Sequence, residues 1–164
     1  MSLGSVRVRE TASGPADTFA RFYEETYQRV TRVVYGISGD MDLAQDCSQE
    51  AFARALDRWT RLEGQSWAAG WVMTTAMNLV RREHRRRPRR MELMDVPAAR
   101  VSDPELWELV RQLPRRQQQV VILRCVLDLS TRQTARVLRC SEGTVKVHFH
   151  RARGTLATML GESR

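Results

Sequence analysis

The stretch LSTRQTARVLRCSEGTVKVHFHRARGTL, Leu129 to Leu156, reads as two short helices joined by a tight turn, the second of them basic. Ser130 caps the first helix, in which Thr134, Ala135 and Leu138 face inward, and the small side chain of Ala135 lets a second helix cross closely. Arg139 and Cys140 form the turn, and Ser141 caps the second helix. There Val145, Phe149, Ala152, Leu156 and Leu160 recur at helical spacing and are expected to be buried. On the opposite face fall Gly143, Lys146, Val147, His150, Arg151 and Gly154. A helix laid in a major groove presents such a set to base edges and phosphates. An ordinary amphipathic pair would need none of the small residue, the cap and the basic outer face together.

The 164 residues have room for one domain of ordinary size or two small ones, and 42% hydrophobic residues suffice for modest helical cores. A formal charge of +8 implies a polyanionic partner, either nucleic acid or an anionic membrane surface. Of the 27 basic residues all but Lys146 are Arg. No apolar run is long enough to cross a membrane, and the N-terminus lacks the pattern of a signal peptide, so a cytoplasmic protein without membrane insertion is expected. Cys47, Cys125 and Cys140 are far apart and form no CxxC pair, which signals neither a disulfide framework nor a metal site. His148 and His150 lie on different sides of a helix and cannot share a metal.

The fold class expected is all-α, with two small helical domains joined by a flexible linker, the C-terminal one a helix-turn-helix. The boundaries are 15–87, 88–104 and 105–164. The first 14 residues read as a leader outside the fold. Phe19, Phe22, Tyr23, Tyr27, Val30, Val33 and Val34 predict a helix from Thr18 to Tyr35, broken over Gly36 to Asp40. A second helix follows from about Asp42 to Trp59, and a third from about Ser66 to Arg87, stopped by Pro88. Between Pro88 and Pro104 the periodicity disappears. Fully extended, that linker spans roughly 50 Å, about 15 base pairs of duplex. Glu105 to Gln112 and Gln117 to Leu127 then read as helices on either side of Leu113 and Pro114.

Two helices of the first domain carry opposite surfaces. On the second, Leu43, Cys47, Ala51 and Ala55, with Phe52, Leu56 and Trp59 beside them, supply the inward stripe, while Asp42, Asp46, Gln49, Glu50 and Asp57 share the other side. Asp40 to Asp57 holds five acids and one base, Arg54, in an otherwise basic chain. Such a stripe is either a solvated face or a dock for a basic protein. On the third helix Val72, Ala76, Leu79 and Val80 face in, and Trp71, Thr74, Asn78, Arg81, Arg82 and Arg85 share an outward sector. Its end, RREHRRRPRR, Arg81 to Arg90, contains seven Arg and one Glu. A ring to stack, an amide to read an edge and guanidiniums to follow a backbone suit unpaired bases. Equally, Trp71 can be core, Asn78 a cap or bridge, and the Arg run a solvated helix end.

Taken together, these features resemble the extracytoplasmic-function (ECF) group of the sigma-70 family, over about Phe19 to Leu160. YGISGDMDLAQDCSQEAFARALDRW is similar to the family's polymerase-binding segment, with Asp46, Gln49, Glu50 and Phe52 matching. WVMTTAMNLVRREHRR resembles the segment that opens and reads the minus-ten element, with Trp71, Ala76, Asn78 and Arg85 in register. LVRQLPRRQQQVVILRCVLDLSTRQTARVLRCSEGTVKVHFHRARGTL resembles the minus-thirty-five reader. Cys47 and Ser48 replace the usual aliphatic pair of the docking segment, Arg82 takes a position commonly acidic, and Arg139 stands where that helix-turn-helix often has a left-handed Gly.

The resemblance implies a promoter-specific initiation factor that is not an enzyme and needs no cofactor or metal. Its implied partners are core RNA polymerase, promoter DNA as duplex and as melted strand, and an anti-sigma factor. Docking on polymerase would fall to Asp42, Asp46, Gln49, Glu50 and Arg54. Minus-ten contacts would fall to Trp71, Thr74, Asn78, Arg81, Arg82 and Arg85. Minus-thirty-five contacts would fall to Ser141, Gly143, Thr144, Lys146, Val147, His150 and Arg151. The alternative is a LuxR-like helix-turn-helix regulator, since TVKVHFHRARGTL also resembles the reading helix of that group.

Overall fold

Pro15 starts the first helix because its fixed φ is already helical and its missing N–H is one the first turn leaves unbonded. In the computed structural model α1 runs Pro15–Ser38. The structure describes residues 14–86 and 104–162. The expected leader and linker therefore lie outside the described residues, apart from Gly14 and Pro104. The break expected from Gly36 comes later: α1 ends at Gly39, whose φ of 69° turns its N–H onto the Tyr35 carbonyl at 2.8 Å.

Asp40 caps α2, Met41–Leu56, by accepting the Leu43 N–H at 3.0 Å. The helix expected to reach Trp59 is interrupted by a turn at Asp57 and Arg58, and α3, Trp59–Leu62, follows. Leu56 sits at that turn and is 52% exposed rather than inward, because the chain leaves the core there. Next comes α4, Ala68–Arg86. Helices α1, α2 and α4 pack together around Val30, Val34, Phe52, Val72 and Met73, with Ala44, Ala51, Ala55 and Ala76 allowing close approach. Phe19, Phe22, Tyr23 and Tyr27 close one end of this core against Phe52 and Trp59.

After the undescribed segment, α5 is Pro104–Gln112 and α6 is Arg115–Val121. The single helix expected to Leu127 changes form: Ile122–Val126 is one wide π turn in which the Leu127 N–H reaches back to the Ile122 carbonyl at 3.1 Å. Asp128 then takes a positive φ of 52°, which ends the segment and directs Leu129 toward α4. α7, Thr131–Leu138, and α8, Glu142–Glu162, complete the chain. Every regular element among the described residues is helical. No helix among them is long and apolar enough to cross a membrane.

One buried cluster runs through both halves. It joins Val72, Met73 and Ala76 of α4 to Leu123, Leu129, Val137 and Val145 of the second half. A smaller cluster of Leu113, Val121 and Ala152 holds α6 to α8, with Phe149 and Leu156 half-buried against it. Leu160, expected to be buried, is 50% exposed: α8 extends past the body it packs on.

Candidate nucleic-acid interface

Helices α7 and α8 are set by their caps. Ser130 and Gln133 form a reciprocal capping box, with the Gln133 N–H on Ser130 Oγ at 3.1 Å and the Ser130 N–H on Gln133 Oε1 at 2.7 Å. Arg139 adopts φ 51° and ψ 51°, and the Cys140 N–H returns to the Ala135 carbonyl at 3.0 Å, closing α7 in a Schellman turn. Ser141 Oγ accepts the Thr144 N–H at 3.1 Å and opens α8. Val145 and Ala152 are buried, as is Thr134 on α7. Ser141, Gly143, Thr144, Lys146, Val147, His150 and Arg151 are all exposed along the N-terminal half of α8. The exposed face offers hydroxyls at the helix start, then cations between small residues, an arrangement suited to a duplex groove.

The outward sector of α4 differs. Arg82 and Arg85 are exposed, but Trp71, Thr74, Asn78 and Arg81 are only half-exposed. Trp71 carries the Arg58 guanidinium over its ring at 5.8 Å. With Thr74 and Asn78 it lines a cavity of about 240 Å³ whose far wall is Arg116, Gln119 and Leu138. A neighbouring cavity of about 330 Å³ is lined by Asn78 and five arginines, Arg81, Arg82, Arg85, Arg86 and Arg115. Burial, with Arg115 and Arg85 close by, lowers the pKa of Arg81 from its ordinary value. Arg86 pairs with Glu83 at 3.6 Å, and the remaining excess of guanidiniums in that wall favours a polyanion.

Asp42, Asp46, Gln49 and Glu50 are exposed together on α2, and Arg54, half-exposed, pairs with Glu50 at 2.8 Å. Burial pushes the Cys47 thiol up to about 11, and Glu83, Asp46 and Glu50 push the same way.

Residues 22–90 match the family described as Sigma-70 region 2, and residues 104–156 match Sigma-70, region 4. The ECF RNA polymerase sigma factor BldN of Streptomyces coelicolor is 32% identical over 93% of this chain. The ECF RNA polymerase sigma factor EcfG of Rhodopseudomonas palustris is 30% identical over 76% of this chain, which spans 75% of EcfG. The chain belongs to the ECF group of the sigma-70 family. It spans 64% of the length of BldN. Among solved structures, the sigma factor RpoE of Bartonella quintana, seen with the anti-sigma factor NepR, shares the fold at a TM-score of 0.70. That likeness covers 89% of this chain and 98% of RpoE at 19% identity.

In this sigma-70 chain the residues that sequence reasoning missed are those of the second half that meet α4. Asn78 Oδ1 accepts from Arg115 Nη2 at 2.8 Å and from Gln119 Nε2 at 3.2 Å. Only one signal was available: Gly70, set inside a helix between Trp67 and Trp71, is a residue that helical propensity alone disfavours.

Proposed function

We propose that this chain is an ECF sigma factor that binds core RNA polymerase, directs promoter-specific initiation and answers to an anti-sigma factor. Its first domain, 15–87, docks on polymerase through the acidic face of α2 and captures melted minus-ten bases on α4. The linker, 88–104, separates that domain from the second, 105–164, which reads the minus-thirty-five duplex through α8. The chain catalyses no reaction itself and works in the cytoplasm, on the nucleoid when bound to polymerase.

One observation carries the reading: a single three-helix body presents an acidic face on α2 and an arginine-walled, aromatic face on α4. A duplex-binding regulator needs neither. The test is transcription and permanganate reactivity of thymines with core polymerase on duplex and premelted templates. Trp71→Ala with Asn78→Ala should leave initial duplex binding nearly unchanged and impair opening. Stacking is worth about 1 to 3 kcal/mol per base, so the bubble should rescue part of the loss. Normal opening by the double mutant removes the role given to this face, and a wild-type chain that opens no promoter favours the plain regulator.

A further inference from the structure

Five arginines line one cavity of about 330 Å³ at the end of α4. Arg81, Arg82, Arg85 and Arg86 stand on neighbouring ridges of that helix, one turn apart in pairs, and Arg115 reaches the same space from the start of α6. Among the described residues only one of the five meets an acid. Arg86 lies 3.6 Å from Glu83, Arg115 donates to the Asn78 amide oxygen at 2.8 Å, and Arg81, Arg82 and Arg85 have no ion pair.

The fold supplies too little negative charge to balance this group. The carbonyl end of α4 attracts cations, but with the strength of about half an elementary charge. Together with Glu83 it leaves most of the five guanidiniums uncompensated. The strain is visible at Arg81, where burial, Arg115 and Arg85 all disfavour the protonated form. An anion held between the side chains would relieve it.

Size selects the class of anion. Ligand clefts usually run from about 300 to 1,000 Å³, so this one suits a compact ligand and not a strand of several nucleotides. A guanidinium grips a phosphate through two parallel bonds, and five of them around one space suit several phosphates in direct succession. In a nucleic-acid strand a sugar separates each phosphate from the next. In a triphosphate a single oxygen does, which packs the charge into the length this cavity offers. The Asn78 oxygen is taken by Arg115 and Gln119, and its amide nitrogen remains as a further donor.

We propose that this cavity is a site for a linked-phosphate anion, a triphosphate chain held by the four arginines of α4 and by Arg115 of α6. Inorganic tripolyphosphate and a nucleoside triphosphate both carry that chain. The nucleotide would also have a place for its base, because the cavity lined by Trp71 and Thr74 adjoins this one at Asn78 and Arg115. Arg86 and Arg115 belong to none of the DNA-contact sets, so the site stands or falls without them. Arg81, Arg82 and Arg85 do belong to the minus-ten set, and on that reading the anion competes with a melted strand.

Isothermal titration of the free full-length chain with sodium tripolyphosphate, at physiological ionic strength and without divalent metal, should show one saturable site per chain. Arg115→Gln and Arg86→Gln should each weaken it about tenfold or more. Arg153→Gln removes the same charge from α8 and should change it by less than about twofold. All three side chains are exposed, so each variant should fold, and circular dichroism checks this. Titration without saturation, or equal weakening by all three variants, is attraction to net charge and overturns the site. ATP in the same titration separates the two sources. Affinity above that for tripolyphosphate, lost in Trp71→Ala, assigns the nucleotide; affinity at or below it assigns the inorganic chain.

Competition is measured separately. Saturating tripolyphosphate should weaken binding of a fluorescein-labelled single-stranded 12-mer about fivefold or more in wild type, and less in Arg115→Gln at the same concentration. An equal loss in both is screening by added salt and overturns the competition, with the site left standing in the titration.

Discussion

Helices α4 and α8 are both amphipathic, both basic on the outward side and both assigned to DNA, yet they stand in opposite states. The outward face of α8 is exposed from Ser141 to Arg151, whereas Trp71, Thr74, Asn78 and Arg81 on α4 are half-covered by α6 and α7. The difference lies in what accompanies the cations. On α8 the exposed set runs Gly143, Lys146, Val147, His150 and Arg151, and a Cβ on Gly143 or Gly154 would meet no side chain of another helix. On α4 a glycine, a tryptophan and an amide form a second contact surface beside the first, with Leu129 seated over Gly70. An outward sector is therefore outward only from the core its own helix builds; a second domain can still claim it.

The largest effect should come from the surface that neither state covers. Asp46→Arg with Glu50→Arg reverses two exposed charges on α2 and leaves the core untouched, so stability should change little. Disrupting a charge pair buried and hydrogen-bonded at an interface costs about 2 to 5 kcal/mol, which places the loss of core-polymerase affinity at about 30-fold or beyond. Pull-down with purified core enzyme measures it.

A smaller loss is expected on the open reading helix. Lys146→Ala and Arg151→Ala should each weaken promoter duplex binding, and a base-edge contact is worth about 1 to 3 kcal/mol of discrimination. Their defect should be the same on duplex and premelted templates, since α8 acts before strands separate. The α4 variants should instead improve on the bubble. Titration on both templates distinguishes the two faces, and an α8 defect relieved by premelting would reverse the roles assigned to them.

Much of this was legible from spacing alone. The Ser130 cap, the Ser141 cap and the buried Val145 and Ala152 follow from local chemistry, and each side chain stands where its neighbours in sequence require it. The break after Leu56, the π turn at Ile122 and the exposure of Leu160 were not legible, because each depends on where the partner surface ends. The contacts of Asn78 were hidden for a related reason. Periodicity reports one buried face per helix, while Arg115 and Gln119 arrive from more than thirty residues away. Gly70 was the visible trace of that meeting, and its meaning is a property of Leu129.

The smallest effect concerns the turn that aims α8. Arg139 holds φ 51° and ψ 51°, a conformation in which a Cβ crowds the backbone at a cost of about 1 kcal/mol. Arg139→Gly removes that crowding but also frees the unfolded chain, so the net gain should be below about 1 kcal/mol. For a chain of this length that corresponds to a rise in Tm of roughly 2 to 4 °C at most. Removing one positive charge from a +8 protein can also stabilise it, and Arg139→Ala separates the causes, since alanine loses the charge and keeps the crowding. Thermal unfolding of both variants should show the Gly chain above wild type and the Ala chain not. Equal shifts would assign the effect to charge, and the turn would then hold α8 at its present angle without measurable strain.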